Sequence, residues 1–202
     1  MDYYKEIEKV NRVDFVAGIS KLFGNKISDS QAEGITAIVD EFERRKLTDS
    51  RYLAYILATI LHETAKTMQP IEEFGKGKNM RYGKKVRYNG KPYYLLDHIY
   101  YGRGHVQVTW LDNYEKLTIA SKQNGHQYDF VNHPELLLQM KPSIWATFYA
   151  MINGIYTGKR LSDYFNSNRT DWINARRIIN GLDKADLIKD YAIVFNDAIT
   201  PG

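Results

Sequence analysis

The longest nearly apolar stretch of the chain is Tyr52-Leu-Ala-Tyr-Ile-Leu-Ala-Thr-Ile-Leu61, and His62-Glu63-Thr64 follows it directly. These ten residues are about half of the roughly 20 that a membrane-spanning helix requires. The stretch therefore predicts a helix in the core of a water-soluble domain, and no stable membrane insertion.

Glu63 lies at the end of an apolar helical face. Leu53, Ile56 and Ile60 are three and four residues apart, and Glu63 continues this spacing, which places all four on one side of a helix. Apolar surroundings favour the protonated form of a carboxyl group, which is the form that a general acid needs. The spacing therefore allows a catalytic acid at Glu63, and a surface carboxylate at a helix end is the alternative.

Glu72 and Glu73 are the candidates for a second carboxylate. In a continuous helix Glu72 would lie roughly 13 Å further along the axis than Glu63, but Pro70 disfavours helix at Gln69 and predicts a turn. Two carboxylates about 6.5–9.5 Å apart leave room for the water of an inverting glycosidase. Either glutamate fits the role of base, and a solvated acidic patch is the alternative.

His62 raises the question of a metal. The zinc motif of metallopeptidases is His-Glu-x-x-His, and Lys66 occupies the position of its second histidine. We therefore expect a histidine beside the site, and predict neither a metal nor an organic cofactor.

A second informative stretch is Tyr101-Gly-Arg-Gly-His-Val-Gln-Val-Thr-Trp110. We interpret its end as a strand, whose alternation places Gln107 and Thr109 on one face, opposite Val106, Val108 and Trp110. A glutamine amide and a threonine hydroxyl on one face can hold a water or a sugar hydroxyl. Further contacts are expected from the next turn, at Asn113 and Tyr114.

Together these stretches resemble family 19 glycoside hydrolases, the chitinases and phage or bacterial lysozymes that share His-Glu-Thr followed by Tyr-Gly-Arg-Gly-x-x-Gln-[Leu/Val]-[Ser/Thr]-Trp. A third match is Asn174-Ala-Arg-Arg-Ile-Ile-Asn180-Gly181, similar to the family's Ile-Ile-Asn-Gly segment. The three blocks occur in the family's order across residues 62–181, more than half of the chain.

The resemblance implies that Glu63 is the general acid, that a second glutamate activates a water, and that Thr109 orients this water. The spacing from Glu63 to Glu72 is similar to that in the phage endolysin branch, which implies Glu72 as base and peptidoglycan as substrate. Plant-type chitinases usually carry disulfides, whereas this chain has no cysteine. The candidate substrate-binding residues are His62, Gln107, Asn113, Tyr114 and Asn180.

The pattern along the chain predicts a mainly α, lysozyme-like α+β fold in one domain over residues 1–202, without a separate wall-binding domain. A β-hairpin lobe at residues 86–94, closed by Asn89-Gly90, is expected to flank the substrate cleft. Helices are expected near residues 11–23, 30–46, 50–67, 112–123, 142–156, 171–180 and 184–198. Their expected caps are Ser28 or Asp29, Thr48 or Asp49, Thr170 and Asp183, with a left-handed Gly181 after the sixth.

The net charge of +4 favours an anionic polymer such as the bacterial wall, and no segment is typical of DNA recognition. The expected partner is thus peptidoglycan or a chitin-like glycan, bound by a monomer. Because the N-terminus does not resemble a secretory signal, we expect the protein to stay cytoplasmic until a separate pore or lysis protein releases it to the periplasm and wall. The open alternatives are a chitinase, a lytic transglycosylase and a catalytically silent wall-binding module.

Overall fold

The computed structural model describes residues 6–7, 9–83 and 98–200, together with the backbone of residues 87–88 and 91–92. Its α-helices are α1 (Arg12–Ile19), α2 (Asp29–Arg44), α3 (Ser50–Glu63), α4 (Leu111–Gln123), α5 (Met140–Asn153) and α6 (Ala185–Ile199). Short 3-10 helices span Ser20–Phe23, Pro134–Leu138, Leu161–Asp163 and Asn174–Ile178. The prediction of a mainly α fold is confirmed.

Helix α3 forms the centre of the core. Every residue from Ser50 to Leu61, apart from Tyr52, is buried, which is consistent with the nearly apolar stretch of the sequence. The Asp49 side chain caps it by accepting from the Arg51 backbone N–H. Within the described residues, no helix is both long and apolar enough to cross a bilayer.

Helix α3 ends at Glu63, four residues before the predicted end. The Thr64 hydroxyl donates to the Ile60 carbonyl at 2.7 Å, and Ala65, Lys66 and Met68 then adopt positive φ angles. This irregular turn, rather than Pro70, ends the helix. It places Glu63 at the edge of the core instead of in the middle of a helix.

Helix α2 packs against this turn. The Ser28 side chain and Gln31 form a reciprocal capping box at its start, as the sequence predicted for Ser28. Gly34 lies so close to the turn that a Cβ atom would be 2.0 Å from the Met68 carbonyl oxygen. The absent side chain therefore lets α2 support the segment that follows Glu63.

The strands are short antiparallel pairs. Strands β1 (Ile71–Glu72) and β4 (Arg103–Gly104) are distant in the sequence and pair with each other. Two local hairpins are formed by β2 (Arg87–Tyr88) with β3 (Lys91–Pro92) and by β5 (Phe165–Asn166) with β6 (Arg169–Thr170). The hairpin predicted at residues 86–94 is confirmed by the pairing of Arg87 with Pro92. Its Asn89-Gly90 turn lies outside the described residues.

The prediction was wrong in detail between residues 170 and 185. The expected helix at residues 171–180 is only a 3-10 turn, and Asp171, not Thr170, accepts from the Asn174 backbone N–H at 2.9 Å. Gly181 is not in the left-handed region. Helix α6 starts after Lys184, whose φ is 60° and which provides no side-chain cap, so Asp183 does not have the predicted role.

Candidate active site

A cleft of about 450 Å³ lies between the end of α3, the loop after β4 and the segment after the last 3-10 helix. Its lining residues are Glu63, Tyr82, Val106, Gln107, Val108, Thr109, Trp110, Asn113, Tyr156, Ile179 and Asn180. Five of the predicted site residues are among them: Glu63, Gln107, Thr109, Asn113 and Asn180. Residues from three distant parts of the sequence thus meet in one cleft.

Glu63 is held in the cleft wall by an ion pair. The Arg176 Nη1 donates to Glu63 Oε1 at 2.7 Å, and the two side chains are only 5% and 16% exposed. The Nε of Arg176 donates to the Asp183 carbonyl, which fixes the guanidinium from behind. Because little water screens the pair, its attraction is stronger than that of a surface salt bridge.

Residues 105–110 form a tight turn, not the predicted strand. Gln107 has φ 52°, and Val108 pairs back onto Arg103 through two backbone hydrogen bonds of 2.9 and 3.2 Å. The predicted faces hold for Gln107 and Thr109, which line the cleft. They fail for Val106, Val108 and Trp110, which line the cleft as well. Positive φ angles at Gln107 and Trp110 break the alternation of a strand.

The two glycines beside Arg103 allow this turn to pack closely. A Cβ atom on Gly104, whose φ is 89°, would lie 2.7 Å from the Ser143 Oγ, and one on Gly102 would lie 2.9 Å from the Gln107 Oε1. Both distances are too short for real contacts. The glycines therefore place the turn against α5 and let Gln107 fold back across Gly102.

The polar groups of the turn differ in their remaining hydrogen-bonding capacity. The Gln107 Nε2 donates to the carbonyls of Ile71 and Gly104, and the Asn113 Nδ2 donates to the Thr109 carbonyl at 2.9 Å. The Thr109 hydroxyl, in contrast, makes no hydrogen bond to the described residues. It is thus available to a water or a ligand in the cleft.

Glu72 lies near the cleft but outside its lining. Its side chain is 39% exposed, accepts from the Tyr101 hydroxyl at 2.9 Å and pairs with Lys76 at 3.2 Å. The Tyr101 hydrogen bond, and then Lys76, lower the pKa of the Glu72 carboxyl. Glu72 is therefore ionised near neutral pH, which is the state that a general base needs.

Glu73 is held by structural contacts at both of its oxygens. The Tyr82 hydroxyl donates to Oε1 at 3.0 Å, and the Gly102 backbone N–H donates to Oε2 at 2.9 Å. The Glu73 backbone N–H also donates to the Gly102 carbonyl. Neighbouring glutamates in the sequence thus have different environments, and only Glu72 leaves its carboxylate substantially open to solvent.

Two predicted substrate-binding residues lie outside the cleft lining. His62 is half-buried beside Glu63. Tyr114 is fully buried, where its hydroxyl donates to the Tyr101 carbonyl and accepts from Arg103. Burial raises the pKa of the Tyr114 hydroxyl. Its position corrects the prediction of a sugar contact, because Tyr114 supports the Arg103 segment from inside the protein.

Arg176, Trp110 and Tyr156 are functional candidates that the sequence-based prediction missed. Arg176 lies inside the third matching block, so its position was the available signal, although a pair of arginines is usually a solvated surface. No signal could single out Tyr82 or Tyr156 in a chain with 16 tyrosines. The Tyr156 hydroxyl is buried without a hydrogen-bond partner among the described residues.

The chain matches no known protein-family profile, and no curated protein is significantly similar to it. The resemblance to family 19 glycoside hydrolases therefore remains a prediction that depends on its three sequence blocks. Among the residues that the structure describes, no three acidic or histidine side chains gather as a metal site would need.

Proposed function

We propose that the protein is a peptidoglycan-degrading glycoside hydrolase of the lysozyme type, cleaving β-1,4 bonds between amino sugars with inversion. The observation that carries the proposal is that Glu63 shares one open cleft with Gln107, Thr109 and Asn180. An open polar cleft suits an extended glycan, which can bind along it through hydrogen bonds to hydroxyl and acetamido groups.

In this mechanism Glu63 takes up a proton before the step and donates it to the leaving glycosidic oxygen as the bond of that oxygen to the anomeric carbon breaks. The proton transfer leaves a carboxylate, and Arg176 is in place to stabilise that negative charge at 2.7 Å. Because the guanidinium is already fixed by Asp183, it needs no rearrangement at that moment. Such preorganised charges are a major source of transition-state stabilisation.

Glu72 takes the proton of the attacking water, and the Thr109 hydroxyl orients this water. Support for Glu72 comes from its carboxylate, which is ionised near neutral pH and exposed. Support for Thr109 comes from its place in the cleft lining and from its hydroxyl, which makes no hydrogen bond to the described residues. Since Glu72 lies outside the lining, the water would enter from the cleft edge that faces β1.

Mass spectrometry of the fragments that the protein releases from purified peptidoglycan tests the proposal. The wild type should release fragments with water added at a sugar reducing end. We expect Glu63→Gln to keep the fold, because a glutamine oxygen still accepts from Arg176, and to lose activity by a hundred-fold or more. Glu33→Gln, the same change at an exposed position of α2, is the matched control and should be fully active.

The products also distinguish the alternatives. Anhydro-sugar ends would indicate a lytic transglycosylase, and release of sugars from chitin oligomers but not from peptidoglycan would indicate a chitinase. Binding to walls without any product would leave a wall-binding module. Glu72→Gln should be crippled in kcat, and a larger loss of kcat in Glu73→Gln would contradict the assignment of the base.

A further inference from the structure

Trp110 is an exposed aromatic residue in the cleft lining. It is 47% exposed, whereas Trp145 and Trp172, the other tryptophans of the chain, are 4% and 6% exposed. Scattered exposed apolar side chains are normal on a protein surface. An exposed tryptophan inside a polar cleft is different, because its apolar face is open at the place where a ligand would bind.

The backbone at Trp110 is strained. Its φ of 70° lies in the left-handed region, which a bulky side chain rarely adopts. The Trp110 N–H donates to the Tyr100 carbonyl at 3.0 Å, so the fold holds this conformation in place. Strain of this kind clusters at binding and catalytic sites, and here its visible result is that the indole lines the cleft.

Tyr82 forms the second half of this aromatic surface. Its ring meets the indole of Trp110 edge to face, with the centroids 5.5 Å apart, a favoured geometry for aromatic pairs. Tyr82 also lines the cleft. Its hydroxyl donates to Glu73 Oε1, and Glu73 Oε2 accepts from the Gly102 backbone N–H. A chain of contacts thus connects the main chain of the turn to the indole.

We propose that Trp110 and Tyr82 form a platform that binds the face of a sugar ring, and that Glu73 is the positioning residue that fixes this platform. The inference rests on the proposed function and names the part of the cleft that binds the glycan. A pyranose ring presents C–H groups on its faces and hydroxyls at its edge. An aromatic face with polar groups such as Gln107 and Asn113 nearby therefore fits it.

Calorimetric titration with a peptide-free tetrasaccharide of alternating N-acetylglucosamine and N-acetylmuramic acid tests the platform. Glu63→Gln serves as the background, so that the ligand is not cleaved. Adding Trp110→Ala should weaken binding about ten-fold, as truncation of a tryptophan at the centre of a binding site does, and Trp110→Phe should restore most of it. Phe74→Ala, at a fully exposed aromatic residue outside the cleft lining, is the control and should bind unchanged.

Glu73→Gln and Tyr82→Phe test the positioning role in the otherwise unchanged enzyme. Both should raise KM about three- to ten-fold on peptidoglycan fragments while kcat stays within two-fold. Loss of a base would instead lower kcat. Tryptophan fluorescence gives a reading that does not depend on activity, because its response to the tetrasaccharide should vanish in Trp110→Phe while calorimetric binding remains.

The platform is refuted if the tetrasaccharide binds equally well with and without the indole, or does not bind to an enzyme that cleaves peptidoglycan. A kcat loss in Glu73→Gln comparable to that of Glu72→Gln refutes the positioning role. Failure of the proposed function is a separate result. In that case the wild type releases no fragments, and a ten-fold dependence of tetrasaccharide binding on Trp110 still supports the platform in a binding protein.

Discussion

The two walls of the cleft are built on different physical principles. The helical wall holds its main side chain, Glu63, through a poorly hydrated ion pair with Arg176. The loop wall at residues 102–110 makes no ion pair with the described residues. It is packed against the core through the close approach of Gly104 to α5 and the contacts of buried His105 with Ser143. One wall therefore depends on an ion pair, and the other on close packing and hydrogen bonds.

This difference matters for how the cleft responds to change. The helical wall should be sensitive to the loss of Arg176, because the Glu63 carboxylate would then lie without a cation at a place where little water can hydrate it. The loop wall should be sensitive to acid, because acid would place a charge on the buried His105 ring. Variants on each side can separate the two effects.

The largest effect is expected from Arg176→Met, which keeps the apolar stem and removes the charge. The Glu63 carboxylate, which is 16% exposed, would lose its cation. Breaking a buried pair in this way lowers the free energy of unfolding by about 4 kcal/mol. We expect the melting temperature to fall by roughly 10 °C and the activity to be lost.

Arg177→Met is the matched control for this variant. Arg177 is the next residue, but it is exposed, and its side chain donates to the Asn174 Oδ1 at 3.3 Å without an ion pair to the described residues. Its replacement should change the free energy of unfolding by less than about 0.5 kcal/mol. Equal losses of melting temperature and activity in Arg176→Met and Arg177→Met would mean that stability and activity depend on the 3-10 segment and not on the ion pair.

The helical wall was largely predictable from the sequence, and the loop wall was not. The position of Glu63 follows from its three- and four-residue spacing and from helical geometry alone. The cap at Ser28 follows from local hydrogen bonding. The partner Arg176 lies 113 residues away, and no local sequence pattern shows which arginine contacts the end of the helix. The predicted order of the three blocks located the region, but not the ion pair.

The shape of the loop wall was predicted wrongly because it depends on tertiary contacts. Alternating valines from Val106 to Val108 are typical of a strand, yet positive φ angles at Gln107 and Trp110 turn the chain back on itself. These angles are unfavourable locally and are maintained by packing elsewhere. Glu72 and Glu73 show the same limit, since only the folded protein reveals that one carboxylate is open and the other is bound at both oxygens.

Acid should destabilise the loop wall through His105. Burial lowers the pKa of His105 to about 4, from the ordinary 6.5. The unfolded chain therefore takes up the proton first as the pH falls, and stability decreases between pH 6.5 and 4. The contribution is complete above pH 6.5, and its loss amounts to about 3 kcal/mol near pH 4. Urea unfolding at a series of pH values measures it.

His105→Asn isolates this contribution from that of the carboxylates, which titrate in the same range. The variant should be less stable at neutral pH, but its stability should fall less steeply between pH 6.5 and 4. His133→Asn, at an exposed histidine, should follow the wild-type slope. Parallel curves for the wild type and His105→Asn would show that the His105 ring titrates alike in the folded and unfolded chain.

The smallest effect on stability, and the most selective for function, is expected from Asn113→Ala. The Asn113 Nδ2 bonds the Thr109 carbonyl at 2.9 Å, and Asn124 makes the same kind of bond to Ala120 at the other end of α4. Loss of either bond should cost about 1 kcal/mol of stability. Only Asn113→Ala should also lower kcat/KM, by roughly five-fold, because it loosens the residue that orients the water. An equal fall in kcat/KM for Asn113→Ala and Asn124→Ala would mean that the activity depends on the stability of α4 and not on the position of Thr109.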